Sequence, residues 1–488
     1  MEKKINIMKT QLIHLILLGQ VLFCQAQLKN ATTLDDVIAL AQIQSPQYQL
    51  EKTRKEVSYY EFRSYRSDLK PQISLYGRAP VYTKQYTSVV QPDGTISFLP
   101  VKQNYSDVGL SLSQTLPFTG GSISINTDLN RFDDLKTKYH QFNGTPVFIM
   151  LNQPLFAFND QKWRSQIEIL RLEESRRIFI QQMENIAQQS VQFFFNVVDA
   201  QINIGIAREN LRNSNINFEI EKKRTDLGTT TEDKVLQLEL QMLKSRQELE
   251  RAKYDYKIAS LNLRTFIGEK DNDTINFTLP EKIPVFDIDL ARAISYLRQY
   301  RSEYISFERK KKEAQRDVAL AKASNRQINL TASYGLNRAA SDLGTIYSDP
   351  KSQQTFSLGF NIPIMDWGRG KARLNTSEAM QKLTNFNNDL EEAGIVQELT
   401  TLVENIELLK GNIALAGTTD SVAKRRYAIA NSLFQTGKLS ITELNLAESE
   451  KDNARRSYIG SLRNYWTAYY LLRRLTLFDF VKQKTLIR

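Results

Sequence analysis

The residue types that carry most enzyme chemistry are scarce in this chain. Its 488 residues include one Cys and two His. Cys24 and His14 both fall within the first 26 residues, so a chain that loses this segment keeps His140 alone. Catalytic dyads and triads that use His, zinc sites of Cys and His, and disulfides are then excluded. The sequence predicts no catalytic residue, no metal site and no cofactor, which argues against a secreted enzyme.

Two further patterns could suggest phosphate or nucleic-acid chemistry. The stretch Gly368-Arg369-Gly370-Lys371 is rich in glycine and basic, but it lacks the earlier Gly and the Ser or Thr after Lys that a phosphate loop requires. The net charge of +11 would suit a nucleic acid, yet acidic and basic residues alternate along the predicted helices, as between Arg171 and Arg177. That alternation is typical of a solvated helical face, so we expect no nucleic-acid partner.

The first 26 residues have the features of a secretory signal. Lysines at 3, 4 and 9 precede an apolar run from Leu12 to Phe23, and Ala26 precedes Gln27. Cys24 leaves lipidation open, although Phe23 is bulky at a position where a small residue is usual. After this segment no run of 18 apolar residues occurs and the mean hydropathy is −0.42, which predicts no transmembrane helix.

A helical pattern occurs twice at a constant distance of 209 residues. Apolar and small residues recur every three and four positions from Val235 to Phe266 and again from Leu444 to Leu475. The first series is Val235, Leu238, Met242, Ser245, Leu249, Ala252, Tyr256, Ala259, Leu263 and Phe266. The second is Leu444, Ala447, Lys451, Ala454, Tyr458, Ser461, Tyr465, Ala468, Leu472 and Leu475. A mean spacing of 3.5 residues predicts a coiled-coil seam in both.

The same offset relates segments that are not helical, which favours a tandem duplication. Gly228 corresponds to Gly437, and Asn152–Phe158 corresponds to Asn361–Trp367. Upstream the offset is 255, because Pro71–Ile73 corresponds to Arg326–Ile328, so the first copy has 46 additional residues between 73 and 152. We predict a signal peptide at 1–26, a first repeat at 27–275 with an extra β-hairpin within 73–152, a second repeat at 276–480 and a C-terminal tail at 481–488.

Period-two alternation predicts strands in both copies, two in the second and four in the first. The predicted strands are 328–336 and 356–362, and 73–82, 105–116, 122–132 and 145–155. Residues 87–100 and 133–144 are predicted as longer polar loops. A secreted chain with few strands per copy has no second sheet to cover the apolar face, so lipid is the remaining partner and an outer-membrane barrel is expected. A small soluble sheet covered by the helices is the alternative.

A long helix is predicted after the strands of each copy. Asn159–Asp226 and Trp367–Gln435 would each span about 100 Å at 1.5 Å per residue. Leu399, Leu402, Ile406, Leu409 and Ile413 keep the 3.5-residue spacing, as do Val191, Phe194 and Val198. Shorter helices are predicted at 34–69 and 290–323. Each long helix ends at a glycine turn, because glycine suits the left-handed residue that follows a helix.

A strand, an Asn-x-Pro junction, a long helix, a glycine turn and a returning helix, all occurring twice behind a signal peptide, resemble the TolC-type outer-membrane efflux protein family. The sharpest local match is Asn361-Ile362-Pro363-Ile364-Met365-Asp366-Trp367-Gly368-Arg369, and Gln153-Pro154-Leu155-Phe156 is its fainter twin. The junction residues carried by this resemblance are Pro154, Phe156, Pro363, Asp366, Trp367 and Gly368.

The resemblance implies a mixed fold of periplasmic coiled-coil hairpins, arranged as an α-barrel and joined to an outer-membrane β-barrel that trimerisation completes. It implies contact between the helical tip and a periplasmic adaptor, the membrane fusion protein of an inner-membrane pump. The tip residues are Leu227, Gly228, Thr229, Thr436, Gly437, Lys438 and Leu439. In the family acidic residues after the tip glycines constrict the tunnel, and the corresponding candidates here are Asp233 and Glu443, which could equally be ordinary solvated helix residues.

The sequence therefore predicts a passive homotrimeric exit duct for efflux or type I secretion in the outer membrane, with a long periplasmic extension and no enzyme activity. A periplasmic coiled-coil scaffold or adaptor without a membrane barrel is the alternative, although an adaptor typically has one helical hairpin and this chain has two. The cargo and the pump stay open. So does the strand number of the trimer, which is 18 if the extra hairpin joins the barrel and 12 if it does not.

Overall fold

The computed structural model describes residues 33–269, 277–324 and 327–487. The predicted signal peptide and its Cys24 lie outside the described residues. In chain order the elements are α1 (Leu34–Gln44), α2 (Pro46–Asp68), β1 (Gln72–Val90), β2 (Ile96–Thr115), β3 (Ser122–Asp134), β4 (Tyr139–Leu155), α3 (Asp160–Asp226), α4 (Glu232–Ile267), α5 (Leu290–Tyr300), α6 (Ser302–Ala323), β5 (Gln327–Ala340), α7 (Leu343–Ser348), β6 (Lys351–Asn361), α8 (Arg369–Gln435), α9 (Ile441–Thr476), β7 (Phe478–Asp479) and β8 (Lys484–Thr485).

These elements belong to two compact units. The sheet unit comprises residues 56–174 and, in the described part of the second half, 305–324 and 327–391. The helical unit comprises the described residues of 33–55, 175–304 and 392–487. In the part of the chain that the structure describes, no helix has both the length and the apolar character needed to cross a membrane.

Six strands of the sheet unit form a single antiparallel sheet in the order β1-β2-β3-β4-β5-β6. All six strands predicted from alternation are present, and the four strands of the first copy are contiguous with the two of the second. The two predicted loops are wrong. β1 and β2 stay paired up to Val90 and Ile96, and β3 and β4 up to Asp134 and Tyr139. Polar residues misled the prediction, because a hairpin whose two faces both meet solvent needs no apolar alternation.

One face of this sheet is largely apolar. Paired residues form a row that crosses the sheet, in which Ile73, Leu112, Ile125, Ile149 and Tyr334 are apolar or aromatic; the last member, Gln354 of β6, is polar, but Phe356, Leu358 and Phe360 follow it on the same face. The adjacent row on the opposite face consists of Gln72, Ser113, Ser124, Met150, Ser333 and Thr355. Ile73 is 76% exposed and Phe360 is 75% exposed, so among the residues that the structure describes no side chain covers the apolar face at either edge.

The helical unit contains the coiled-coil seams that the spacing predicts. Every predicted seam position of α4 and α9 is buried or half-buried. The predicted positions of the long helices are buried as well, with Phe194 and Leu399 fully so. Each of α8 and α9 begins and ends 209 residues after α3 and α4 respectively, so the offset found in the sequence applies to the helix boundaries too.

The two shorter predicted helices are each interrupted. The segment 34–69 breaks at Ser45, since the residue before a proline is disfavoured in helical conformation and Pro46 follows. The segment 290–323 breaks at Arg301, which has an extended backbone with ψ of 143°. The hydroxyl of Ser302 there donates to Oε1 of Gln181 at 2.7 Å, so a long-range contact holds a break that no local signal predicts.

The end of the chain packs into the helical unit. β7 pairs with β8, so the predicted boundary between residues 480 and 481 falls inside a small hairpin. Arg473 of α9 lies between two buried carboxylates, with Nε 2.8 Å from Glu184 and a second nitrogen 3.3 Å from Asp479. Burial raises the pKa of the Glu184 carboxyl, and Arg473 opposes this shift. The ion pairs thus attach the C-terminal segment to α3.

Replacement of Arg473 by Leu should strongly destabilise the protein. Glu184 and Asp479 would become buried carboxylates without their cation, which costs about 3–5 kcal/mol. Arg298→Leu is the matched control, because the Arg298–Glu392 pair is largely exposed and contributes about 0–1 kcal/mol. Thermal unfolding in detergent measures both, and equal shifts in Tm for the two variants would contradict this role of Arg473.

Candidate functional site at the two glycine turns

The glycines predicted at the helical tip end their helices by the same backbone motif. Gly228 and Gly437 have φ of 70° and 75°, the left-handed region that a side chain disfavours. The Gly228 N–H donates to Thr225 O at 2.8 Å, and the Thr229 N–H donates to Arg224 O at 2.9 Å. Lys438 and Gly437 repeat both bonds in the second copy. These pairs define a Schellman motif, so each turn is a defined helix end.

The helices that return from these turns begin differently in the two copies. Ser440 accepts a hydrogen bond from the Glu443 N–H at 3.2 Å, and the Glu443 carboxylate accepts from Ser440 at 2.7 and 3.0 Å, which makes a capping box. These bonds lower the pKa of Glu443. Thr231, the corresponding residue of the first copy, makes no such side-chain bond. The structure therefore gives Glu443 a capping role, while Asp233 lies exposed in the first turn of α4.

Arg224 links the two turns. Its guanidinium donates to the backbone oxygen of Gln435 at 2.9 Å and of Phe434 at 3.4 Å. These carbonyls lie in the last turn of α8, where helix oxygens lack intrahelical partners and a positive charge is favourable. We call this contact the Arg224 cap. Leu433 occupies the corresponding position 209 residues later, so the cap acts in one direction only, from the first hairpin to the second.

Glu221 forms an ion pair with Arg224 and so positions the guanidinium of the Arg224 cap. It is 4% exposed, and its carboxylate lies 2.9 Å from Arg224 and accepts from the Thr230 hydroxyl at 2.6 Å. The pair therefore joins the end of α3 to the turn that follows it. Sequence reasoning missed Arg224, Glu221 and Thr230, because no local pattern indicates which carbonyls Arg224 reaches. The Ser440-x-x-Glu443 spacing was a readable signal for the capping box.

The seven predicted tip residues are divided between solvent and core. Leu227 is 77% exposed, and Thr229, Thr436 and Lys438 are exposed as well. Leu439 is half-buried instead. It packs with Ile441 and Phe218 against a core cluster formed by Leu238, Tyr427, Ala430, Phe434, Leu444 and Ala447. Leu439 thus holds the two hairpins together, and Leu227 is the predicted apolar tip residue that is available to a partner.

Polar residues occupy the buried face of α3 next to the turns. The buried members are Asn210, Asn213, Ser214, Asn217 and Glu221. Asn210 donates to the Asp452 carboxylate at 2.7 Å, and Asn213 donates to the Tyr427 hydroxyl at 2.9 Å. A polar seam is less stabilising than an apolar one but specifies the pairing of its helices. The turn-proximal half of α3 is therefore held by directed hydrogen bonds.

Glu448 of α9 lies in this polar region. Its pKa is raised to about 7, chiefly by burial and also by the neighbouring Asp452 and Glu209, while Lys451 and a hydrogen bond from Tyr427 oppose the shift. The ammonium of Lys451 lies 4.2 Å from the centre of the Tyr427 ring. The same burial raises the pKa of Tyr427. Ionisation of Glu448 near neutral pH thus places a second negative charge beside Asp452.

The predicted strand-to-helix junctions lie in the sheet unit. Pro154 pairs with Asn329 within β4, whereas Pro363 follows the end of β6. Phe156 and Trp367 are 89% and 91% exposed, and both have positive φ. Asp366 accepts from the N–H groups of Gly368 and Gly370 at 2.9 and 2.7 Å, which lowers its pKa and caps α8.

Asn159 caps the start of α3, as Asp366 caps the start of α8. Its side-chain oxygen accepts from the Lys162 N–H at 3.1 Å, and its nitrogen donates to the carbonyl oxygens of Pro117 and Phe118. Across the residues that the structure describes, His, Asp and Glu side chains form no group that could hold a metal ion. The side chains at the glycine turns and at the strand-to-helix junctions therefore fix where the long helices begin and end.

The family described as outer membrane efflux protein matches residues 37–269 and 306–476. The chain belongs to the outer membrane efflux protein family. It is therefore an outer-membrane transport protein and not an enzyme, and its helical hairpins form the periplasmic part. A comparison with curated proteins finds no match.

Solved membrane proteins have a similar fold at low sequence identity. A membrane protein from Pseudomonas aeruginosa is 15% identical, with a TM-score of 0.67 over 93% of this chain and 92% of that chain. The Campylobacter jejuni CmeC outer membrane channel is 15% identical, with a TM-score of 0.66 over 91% and 85% of the two chains. The Vibrio cholerae outer membrane protein VceC is 14% identical, with a TM-score of 0.64 over 91% and 95%.

The stability of this efflux protein should fall as the pH rises through 7. Because the folded-state pKa of Glu448 exceeds its ordinary value, its contribution is fully present below the ordinary Glu pKa and is lost as pH passes about 7. We expect a loss on the order of 1 kcal/mol between pH 5 and 8, after allowance for partial solvent exposure. Glu448→Gln should reduce this pH dependence and Glu450→Gln should not, as measured by Tm. An unchanged pH profile in Glu448→Gln would refute the assignment.

Proposed function

We propose that this efflux protein is the passive exit duct of a tripartite efflux or type I secretion system. Three copies would combine their sheets into one outer-membrane barrel and their hairpins into one periplasmic tunnel. The duct would make and break no bonds. Transport would follow from removal of a barrier at the two glycine turns, with energy supplied by an inner-membrane pump.

The observation that carries this proposal is the uncovered apolar face of the sheet. Its apolar rows lie on one side and its polar rows on the other, as in a strand set with lipid outside and water inside. On β5 the band runs from Ile328 to Leu336, about 27 Å at 3.4 Å per residue, close to the ~25 Å apolar band of such barrels. Trp367 and Phe156 lie just beyond it, where aromatic residues favour the membrane interface.

The glycine turns support an adaptor contact at the tip. Both are exposed, both present a defined helix end, and Leu227 adds an apolar side chain that is 77% exposed. Leu227, Gly228, Thr229, Thr436, Gly437 and Lys438 would form this contact, and Leu439 would support it from the core. Asp233 is the better candidate for a tunnel gate, because the carboxylate of Glu443 already serves the capping box.

Opening would require the first and second hairpins to separate at the Arg224 cap. An adaptor shifts the equilibrium toward the open state only by the difference in its affinity for the two states. The cap joins the two hairpins in this structure, and the Glu221–Thr230 bond holds the first turn beside it. We expect adaptor contact on Leu227 and the glycine turns to weaken the cap.

Replacement of Gly228 and Gly437 together by Leu should abolish most export without loss of the trimer. Each leucine would have to adopt a left-handed backbone conformation, which costs a residue with a side chain about 1–2 kcal/mol. Each leucine also adds bulk at the adaptor contact. Gly205→Leu with Gly411→Leu is the control, because both lie inside helices with no neighbouring atom within 4 Å. Efflux in a deletion strain and native-gel mass are measured. Full efflux by the tip variant would refute the adaptor contact.

Arg224→Met should leave the trimer intact but increase its leak. Loss of charge-assisted bonds worth about 1.5 kcal/mol would raise the open fraction roughly tenfold. Lys223→Met removes an exposed charge one residue away and serves as the control. Single-channel conductance in planar bilayers is the measurement. A conductance of Arg224→Met equal to that of the control would show that the cap does not restrict the duct.

A further inference from the structure

The two edges of the six-stranded sheet are the most informative unpartnered surface of this chain. β1 and β6 each pair on one side only within the described residues, so each has a free row of backbone N–H and C=O groups. Their outward side chains are apolar up to the edge, since Leu75 is 72% exposed and Phe360 is 75% exposed. In lipid such polar edges are not tolerated, and every spanning strand must be paired on both sides.

The first-copy hairpin that the duplication does not explain is part of this apolar surface. β2 contributes Leu110 and Leu112, and β3 contributes Ile123 and Ile125, all in the same rows as their neighbours. A hairpin that folds away from the membrane would have no reason to keep lipid-facing residues in register with four other strands. All six strands therefore meet the requirements of a membrane segment.

The number of strands also decides how two copies can meet. In an antiparallel sheet of six strands the first and last run in opposite directions. β6 of one copy can thus lie antiparallel to β1 of the next, and the alternation continues around a closed ring. Closure then needs no strand other than those described here.

The duplication supplies a template for this contact. β4 ends the first copy and β5 begins the second, and they pair within the chain, as between Asn152 and Thr331. β6 corresponds to β4 at the offset of 209, and β1 corresponds to β5 at 255. Transfer of the internal pairing by these offsets places Asn361 opposite Tyr76 of the neighbouring copy.

The transferred register agrees with the faces of the sheet. Asn361 and Tyr76 both lie on the polar face, and the next pair, Phe360 and Gly77, both lie on the apolar face. A register shifted by one residue would set apolar against polar side chains along both strands. Gly77 opposite Phe360 also leaves room for the aromatic ring at the lipid surface.

We propose that β6 of one copy pairs with β1 of the next, with Asn361 opposite Tyr76, so that the trimer closes as a barrel of 18 strands. This inference rests on the proposed trimeric duct but goes beyond it, since a trimer could also close with 12 strands if the β2–β3 hairpin left the sheet and β1 paired with β4 of the same copy. The partner at the edge is thus a second copy of this chain.

Cysteine pairs distinguish these arrangements. Asn361→Cys with Tyr76→Cys should give disulfide-linked trimers on non-reducing gels, because directly opposed residues of neighbouring strands lie about 4.5–5.5 Å apart at Cα, within disulfide reach. Asn152→Cys with Tyr76→Cys tests the 12-strand closure, since without the β2–β3 hairpin the β4–β5 register transferred at the offset of 255 places Asn152 opposite Tyr76 within one copy. Asn152→Cys with Thr331→Cys is the positive control, because this pair is opposed within one chain.

The outcomes distinguish a wrong strand number from a wrong oligomeric state. Linked trimers from the Asn361–Tyr76 pair and no bridge within one copy from the Asn152–Tyr76 pair support the proposal. Linked trimers together with a bridge within one copy from the Asn152–Tyr76 pair overturn the 18-strand barrel and leave the trimeric duct standing. If the Asn152–Thr331 control closes and the Asn361–Tyr76 pair links no copies, the trimer itself fails. Electron microscopy of the unmodified particle in nanodiscs is the independent measurement, because barrel diameter grows roughly linearly with strand number, and a 12-strand ring would overturn the proposal even if the variants do not fold.

Discussion

The structure of this protein depends on an apolar sheet face that the described residues leave uncovered. Burial of apolar surface drives folding in water, and a soluble domain would place helices over such a face. Here the apolar rows of the sheet unit stay exposed up to both edges, while the helices of the helical unit bury their own seams. The surface is stable only where the surroundings are themselves apolar. Membership in the outer membrane efflux protein family supplies that environment.

The duplication explains much of the architecture but not the tip. Helices of equal length, identical glycine turns and related strand-to-helix junctions recur at one offset, as two copies of one unit should. The two copies differ in their side chains at the glycine turns, where the first hairpin contacts the second. Arg224 caps α8 and has Leu433 as its counterpart, and Ser440 forms a capping box where Thr231 does not. The asymmetric contacts hold one hairpin against the other at the turns.

The composition of the seams changes along the helical unit. Far from the turns α3 buries Ile186, Val191 and Phe194, and near the turns it buries Asn210, Asn213 and Asn217. Apolar contacts tolerate small shifts of one helix along another, whereas hydrogen bonds are lost within a fraction of an ångström. The turn-proximal region is therefore both less strongly packed and more precisely registered. Glu448 adds a charge that appears near neutral pH.

The sequence by itself determined the elements of this protein. Period-two alternation predicted the six strands, a 3.5-residue spacing predicted the seams, and glycines at a constant offset predicted both turns, because these signals are local and repeat many times. The sequence also indicated the family, through the Asn361–Arg369 junction and its twin. Local patterns failed where distant residues decide the outcome. The helix break at Arg301, the burial of Leu439 and the strand extensions in 87–100 and 133–144 are examples.

Only the tertiary structure decided which residues the helix ends contact. Arg224 reaches carbonyls more than 200 positions away, and Glu221 becomes buried because α3 packs against the second hairpin, which no spacing in the sequence encodes. Likewise the alternation in each strand predicted an apolar face, but only the register of all six strands showed that these faces form one surface. The physical reason is common to both cases: periodicity specifies a residue's direction from its own backbone, whereas its partner depends on how distant segments pack.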